Sequence, residues 1–182
     1  DILRSGGSEP LGTPYLAASI FKLTKTRAVW LMVLAFAATL TVNVLNFFQN
    51  SLQSAIRLSL FIPLLIGIGG NIGAQSVTII TRAMALGEVR FSDFFLVLIR
   101  EIRVGFFLGL TLGTLSLPIV GPFFGWDIAL VLSTSLLSIS VLAAFAGSTL
   151  PMVAKRIGID PAVVSAPIIS TLVDASGLII YF

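Results

Sequence analysis

The sequence predicts an all-α integral membrane protein of five transmembrane helices, with a cytoplasmic N-terminus and its C-terminus outside. Three observations carry this prediction. Of the 182 residues, 57% are hydrophobic and only 10% are charged, against roughly 25% charged in an average soluble domain. Five apolar stretches each supply the about 20 residues that a helix needs to cross a bilayer. Lysine and arginine collect on alternate connections between those stretches, as the positive-inside rule requires.

Taken in order, the spans are read over residues 28–48, 52–85, 93–117, 127–153 and 161–182. The second is long enough to tilt or break, because Pro63 and a cluster of glycines lie inside it. Turn signals separate the spans: Asn50-Ser51, Gly87, Pro118 with Gly121-Pro122, and Gly158 with Pro161. Lys22, Lys25 and Arg27 precede the first span. Arg82, Arg90, Arg100 and Arg103 flank the second connection, and Lys155 and Arg156 precede the fifth span. On the other side only Arg57 appears, and residues 118–127 carry no positive charge. Residues 1–27 read as a cytoplasmic linker ahead of a membrane domain over 28–182. Within the linker, 14–23 suits a short interfacial helix, with Tyr15, Ile20, Phe21 and Leu23 toward lipid and Lys22 toward water.

Composition also excludes chemistry. The chain has no cysteine and no histidine, so disulfides, thiol nucleophiles, imidazole catalysis and Cys/His metal sites are ruled out. Any metal must be held by oxygen, which suits hard cations such as Mg²⁺ or Ca²⁺. A formal net charge of +3 gives no reason to expect a nucleic-acid partner.

One residue stands out. Asp174 lies alone in the apolar fifth span, where a carboxylate near the bilayer centre costs ~2.5–3.5 kcal/mol on insertion scales. Helical spacing places Pro167, Ser170, Thr171, Asp174 and Gly177 or Leu178 on one stripe, opposite Val164, Ile168, Ile169, Leu172 and Ile179. A polar stripe centred on an acid suits a pore wall better than a purely structural buried carboxylate, because no basic residue lies at mid-membrane to pair with it. The second span carries the run from Pro63 through Gly67, Gly69, Gly70, Asn71, Gly73, Ala74 and Gln75 to Ser76. Gly69/Gly73 and Gly70/Ala74 are small-xxx-small pairs that favour tight helix contact. Asn71, Gln75, Thr78 and Arg82 form a second polar stripe. It reads equally as the lining of a path, with the glycines exposing carbonyls, or as a packing seam. Near the cytoplasmic side lie Glu88, Asp93, Glu101 and Asp160. Asp160 is expected as a helix N-cap and Glu101 as an ion-pair partner of Arg100 or Arg103; both also attract cations to a pore mouth.

The joint occurrence of Pro63…Gly69-Gly70-Asn71-Ile72-Gly73-Ala74-Gln75-Ser76, Arg82-Ala83, and Asp160-Pro161-Ala162…Ser165-Ala166-Pro167…Thr171…Asp174…Gly177 resembles the membrane domain of the MgtE-type magnesium channels. The resemblance runs from about Pro14 to the end of the chain. It implies a homodimer in a bacterial or archaeal cell membrane, with one pore on the two-fold axis. The second and fifth helices of both subunits then line the pore, through Pro63, Gly67, Gly70, Asn71, Ala74, Thr78, Ala166, Pro167 and Gly177. Asp174 becomes the selectivity residue, with Ser170 and Thr171 beside it, the backbone carbonyl at Ser170 helping to hold a hydrated Mg²⁺. Glu101 and Asp160 remain candidate cation sites at the cytoplasmic mouth. Relatives often carry Asn at the positions of Ala74 and Ala166, so pore width or ion preference is expected to differ here. The family's soluble gate, an N-terminal domain followed by CBS domains, is not among these residues: either it belongs to a longer full-length protein or this is a natural short form.

The resulting expectation is a non-enzymatic protein that moves divalent cations, above all Mg²⁺, into the cytoplasm. A Na⁺- or H⁺-coupled exchanger needs a second ionisable site in the membrane. An intramembrane enzyme needs a nucleophile, base or metal cluster, which one mid-membrane acid per chain does not supply. Since the chain lacks cysteine, engineered cysteines report sidedness directly. A membrane-impermeant maleimide added to intact cells is expected to label Phe123→Cys and spare Lys25→Cys; the reverse pattern inverts the orientation.

Overall fold

The computed structural model describes residues 18–50, 56–164 and 166–182. All regular structure among them is helical. The helices are α1 (Ile20–Phe47), α2 (Ile56–Ser59), α3 (Ile62–Ala85), α4 (Phe94–Phe124), α5 (Trp126–Arg156) and α6 (Ala166–Tyr181), with 3₁₀ turns at Phe91–Asp93 and Pro161–Val163. Four segments are long and apolar enough to cross a membrane: Ile20–Phe47, Ile56–Ala85, Phe91–Phe124 and Trp126–Arg156. The fifth, α6, is apolar but has only 16 residues. At 1.5 Å per residue it covers about 24 Å, short of the ~30 Å hydrocarbon core.

Several boundaries differ from those the sequence predicts. Helix α1 begins at Ile20, capped by the Ser19 hydroxyl, which accepts from the Lys22 amide at 3.2 Å. The described part of the expected interfacial helix is therefore continuous with α1; residues 14–17 lie outside the described residues, as do 1–13 and 51–55. The second span is broken between α2 and α3, with Pro63 in the first turn of α3. A proline there loses no helical bond, whereas its ring would clash with the carbonyl four residues earlier in a continuous helix. The expected turn at Pro118 and Gly121-Pro122 is absent. Helix α4 runs through both prolines to Phe124, and the chain reverses at Gly125, φ 100°. Packing overrides the local breaker signal, for Val120 and Gly121 are buried and a Cβ on Gly121 would lie 2.7 Å from the Trp126 ring of α5. Pro151 is likewise held inside α5. Gly87 and Gly158 adopt positive φ, 76° and 82°, just past the ends of α3 and α5, the left-handed position that glycine fills without a Cβ penalty.

Helix α5 is the hub, with α3, α4 and α6 packed on it. Its Leu132, Leu136, Ile139 and Ala143 are fully buried, together with Leu65 of α3 and Ile169 and Val173 of α6. Helix α1 buries no residue and leans on α6, where Phe48 stacks on Phe182 at 5.2 Å. The two ends of the bundle are chemically distinct. At one end Lys155 donates to the Met84 carbonyl at 3.2 Å and Arg156 lies 5.2 Å above the Phe91 ring. At the other, Phe61 meets Phe124 at 5.1 Å and the Tyr181 hydroxyl donates to the Leu58 carbonyl at 2.8 Å.

Glycine seams make these approaches possible. The α3 seam is as expected: a Cβ on Gly69 would lie 2.6 Å from Ile139 Cγ2, and one on Gly73 2.7 Å from Ile169 Cγ2. A second seam, which the spacing of Gly105, Gly109 and Gly113 also encodes, joins α4 to α5. Cβ atoms there would sit 2.7 Å from the Ser140 carbonyl oxygen, 2.7 Å from Leu137 Cα and 2.8 Å from the Ser133 carbonyl oxygen. Gly109→Ala therefore pushes backbone against backbone and is expected to destabilise by about 1–3 kcal/mol. Gly67 has nothing within 4 Å of its missing Cβ, so Gly67→Ala is expected to be stabilising by about 0.5–1 kcal/mol through helix propensity. Melting temperatures in detergent measure both signs.

Candidate ion site between α3 and α6

Helix α6 brings its polar stripe to α3. Pro167 occupies its first turn, and the Thr171 hydroxyl donates to the Pro167 carbonyl at 3.0 Å. Ser170, Thr171 and Asp174 are half-buried, while Ile169 and Val173 enter the core. Gly70 of α3 lies against this stripe. A Cβ there would run into Ser170 Oγ and come within 3.4 Å of Asp174 Oδ1. The Asp174 Oδ1 atom is buried and has no hydrogen-bond partner among the described residues. A buried carboxylate oxygen without a donor is costly, so the arrangement calls for a donor or cation from beyond the described residues.

The polar stripe of α3 is open. Asn71, Gln75 and Thr78 are exposed, as are Pro63 and Gly67. With Ala74 and Ile79 the three polar residues line a shallow concavity of about 380 Å³. Polar side chains of a membrane helix turn toward protein or water, not toward lipid. The stripe therefore reads as a face awaiting a partner or an aqueous path. Helix α3 is unbroken across its glycines, and the Thr78 hydroxyl folds back on the Ala74 carbonyl at 2.7 Å. Gly70 sits in the seam rather than on the open face. Gly177 is also buried, with its missing Cβ 3.3 Å from Ile139 Cδ1 of α5, and Ala166 is half-buried.

The acids near the basic end play other parts. Asp160 caps the Pro161–Val163 turn, accepting from the Ala162 amide at 3.0 Å, while α6 itself starts later, at Ala166. Asp93 accepts from the Arg90 amide at 2.9 Å. Glu101 forms no ion pair with Arg100 or Arg103 among the described residues. It accepts instead from the Ser76 hydroxyl of α3 at 2.8 Å. Sequence reasoning missed this link, since nothing local pairs residues 25 positions apart. Glu101 borders a pocket of about 440 Å³ with Glu88, Asp93, Arg100 and Ile79. Ile79 also lines the open concavity on α3, so the two spaces are neighbours. Among the described residues no group of three or more acids, histidines or cysteines is arranged to hold a metal ion. Within the protomer, the site offers a single carboxylate and a hydroxyl, suited to the water shell of a cation rather than to a dehydrated ion.

Known proteins share this arrangement of sequence. A family model, MgtE, described as a divalent cation transporter, matches residues 62–182. The chain is 36% identical over 185 residues to the magnesium transporter MgtE of Thermus thermophilus, covering all of this chain and 40% of that protein. It is 31% identical over 162 residues to the magnesium transporter MgtE of Enterococcus faecalis, covering 88% of this chain and 36% of that protein. It is 28% identical over 158 residues to that of Bacillus subtilis, covering 86% and 35%. The chain thus spans two-fifths or less of the length of these relatives, each of which extends beyond the matched region. With the family model covering α3 to α6 and the lone acid of α6 inside the match, this chain belongs to the MgtE family of divalent cation transporters.

Proposed function

We propose that this protein conducts divalent cations, with Mg²⁺ the preferred cargo, down the electrochemical gradient into the cytoplasm through a pore between two copies of the chain. One observation carries the reading: Asp174 holds a buried carboxylate oxygen without a donor among the described residues, beside a polar face of α3 that those residues leave open. A two-fold axis along that face contributes Asp174 twice and encloses Asn71, Gln75 and Thr78 in water. Ser170 and Thr171 lie one turn before the acid, and Pro63, Gly67, Ala74, Ala166 and Pro167 flank the same path. Gly70 and Gly177 serve it from the seams, by setting the spacing of α3, α5 and α6. Glu101 and Asp160 add negative charge at the cytoplasmic mouth.

Mg²⁺ gives up water reluctantly, and two carboxylates facing one another across a pore grip its hydration shell without stripping it. The membrane potential supplies ~2.3 kcal/mol per charge per 100 mV, twice that for a divalent ion, so inward flow needs no other energy source. Helix α6 counts as the fifth span, its 16 residues lengthened by the turn before it. The basic end of the bundle faces the cytoplasm. Residues 28–182 make up the pore domain, 1–27 lead into it, and soluble regulatory domains complete the full-length protein. The names of the relatives support the choice of Mg²⁺.

The test is cation flux into proteoliposomes with no Na⁺ or H⁺ gradient imposed. The wild-type protein is expected to pass Mg²⁺ as an electrical current, and Asp174→Asn to lower that flux by about tenfold or more, the worth of one charged hydrogen-bonding group. Equal flux in the two would make Asp174 a structural acid and move the path elsewhere. Flux that depends on a counter-ion would replace the channel by an exchanger.

A further inference from the structure

Helices α3 and α6, the two that the pore reading sets beside the path, carry one charged residue each: Arg82 in α3 and Asp174 in α6. Asp174 lies in the middle of its helix, whereas Arg82 lies in the last turn of α3, at the basic end of the bundle. Helical spacing fixes the side on which Arg82 sits. Asn71, Gln75, Thr78 and Arg82 recur at intervals of four, three and four residues, which keeps them on one face, and all four are exposed. Two residues to either side of Arg82, Ile80 and Met84 are buried. Arg82 therefore points away from the packed face and continues the open polar stripe to its end.

Other cations at this end are engaged by the protein. Lys155 donates to the Met84 carbonyl at 3.2 Å, and Arg156 stacks on the Phe91 ring at 5.2 Å. The Arg82 side chain has no hydrogen bond or ion pair among the described residues. The acids stand off its face. Glu101 accepts from Ser76, a buried residue six positions before Arg82 and so about 120° round the helix. Asp93 accepts from the Arg90 amide and Asp160 from the Ala162 amide. A cation in the last turn of a helix suits the helix dipole, and one at the cytoplasmic membrane edge suits the positive-inside rule. Both roles are served on any side of the helix, so neither accounts for an arginine on the polar stripe.

We infer that Arg82 is a rectifying residue: with its copy across the two-fold axis it forms a positive collar at the inner mouth of the path, which keeps cytoplasmic divalent cations from entering and favours inward over outward flow. This rests on the pore reading proposed above and adds to it the direction of flow. A fixed charge depletes ions of its own sign from the water around it. The repulsion grows with the charge of the ion, so a divalent cation is depleted more steeply than a monovalent one. Its reach is about 8 Å at physiological ionic strength. Arg82 stands 20 residues beyond Ile62, the first residue of α3, which is about 30 Å along the helix axis. The outer mouth therefore lies beyond the reach of the collar. Cations are supplied undiminished from outside and from a depleted layer inside. An ion leaving Asp174 inward is carried past the collar by the membrane potential, whereas an ion from the cytoplasm meets the collar first.

The experiment records Mg²⁺ current in inside-out patches from cells expressing the whole chain, with the same MgCl₂ solution on both sides. Inward and outward currents are compared at equal and opposite voltages for wild type, Arg82→Gln, Arg82→Lys, Arg103→Gln and Asp174→Asn, with folding followed by size-exclusion profile. Arg103 is the control, an exposed cation near the same end but on α4, two residues from the Gly105 seam and so on the side away from α5. At an ionic strength of ~0.01 M, where charges act over about 30 Å, the inward-to-outward ratio is expected to fall by about threefold in Arg82→Gln. It is expected to keep the wild-type value in Arg82→Lys and Arg103→Gln. Raising the ionic strength to ~1 M with an impermeant salt shortens that reach to about 3 Å and is expected to bring the wild-type ratio down to that of Arg82→Gln. An unchanged ratio in Arg82→Gln, or an equal change in Arg103→Gln, overturns the inference. Should Arg82→Gln fail to fold, the wild-type protein decides, because a ratio indifferent to salt excludes the collar. Asp174→Asn separates the collar from the pore. If it loses current while Arg82→Gln keeps the wild-type ratio, only the collar falls; if it keeps the wild-type current, or wild type passes no Mg²⁺ current, the pore reading falls and the collar with it.

Discussion

The close approach of α3 to α5 and α6 is the constraint on which the rest of this protein depends. In a membrane, lipid is as apolar as leucine, so helices gain little by burying carbon and must gain by close contact. The contact here is backbone to backbone. Gly147 of α5 faces the carbonyl oxygen of Gly73, 2.6 Å from its missing Cβ, while Gly69 and Gly73 receive Ile139 and Ile169. That approach fixes the depth of α6 relative to α3, and with it the position of the Asp174 carboxylate. The same kind of contact binds α4 to α5 and carries Glu101 to the Ser76 hydroxyl.

Glu101 and Asp174 show how differently a carboxylate can be accommodated. Glu101 has a donor on the neighbouring helix and knits α4 to α3. Asp174 has one oxygen buried with none among the described residues. Desolvating a charge is tolerable when a partner offsets it and costly otherwise. On the pore reading proposed above, an acid without a partner among the described residues marks a place that a ligand completes. The open stripe of Asn71, Gln75 and Thr78 makes the same statement in neutral groups.

Much of this was legible in the sequence, and what was not has physical causes. Apolar length and the placement of Lys and Arg depend only on local composition, so the order of the helices could be read directly. Pro63 acted as the breaker it resembles, whereas Pro118 and Pro122 did not, because packing around Val120 and Gly121 outweighed their local preference. Asp160 was recognisable as a cap, but of a 3₁₀ turn, a distinction set by where α6 begins. Asp174 stood out because it is alone. Its missing donor could not be read, since that fact concerns every neighbouring helix at once. The Ser76–Glu101 bond and the Gly70 contacts join segments distant in the chain and leave no periodic trace.

The shortness of α6 has an electrical consequence. An apolar helix of 16 residues spans about 24 Å where the surrounding bilayer presents ~30 Å, and such a mismatch is relieved by thinning the bilayer or letting water reach the helix ends. Conducting water on both sides brings the two bulk potentials closer together. The transmembrane voltage then falls over a shorter distance, and the local field steepens around the middle of α6. Asp174 is the ninth of those 16 residues, so on the proposed pore reading an ion beside it, still inside its water shell, feels the membrane voltage as a force.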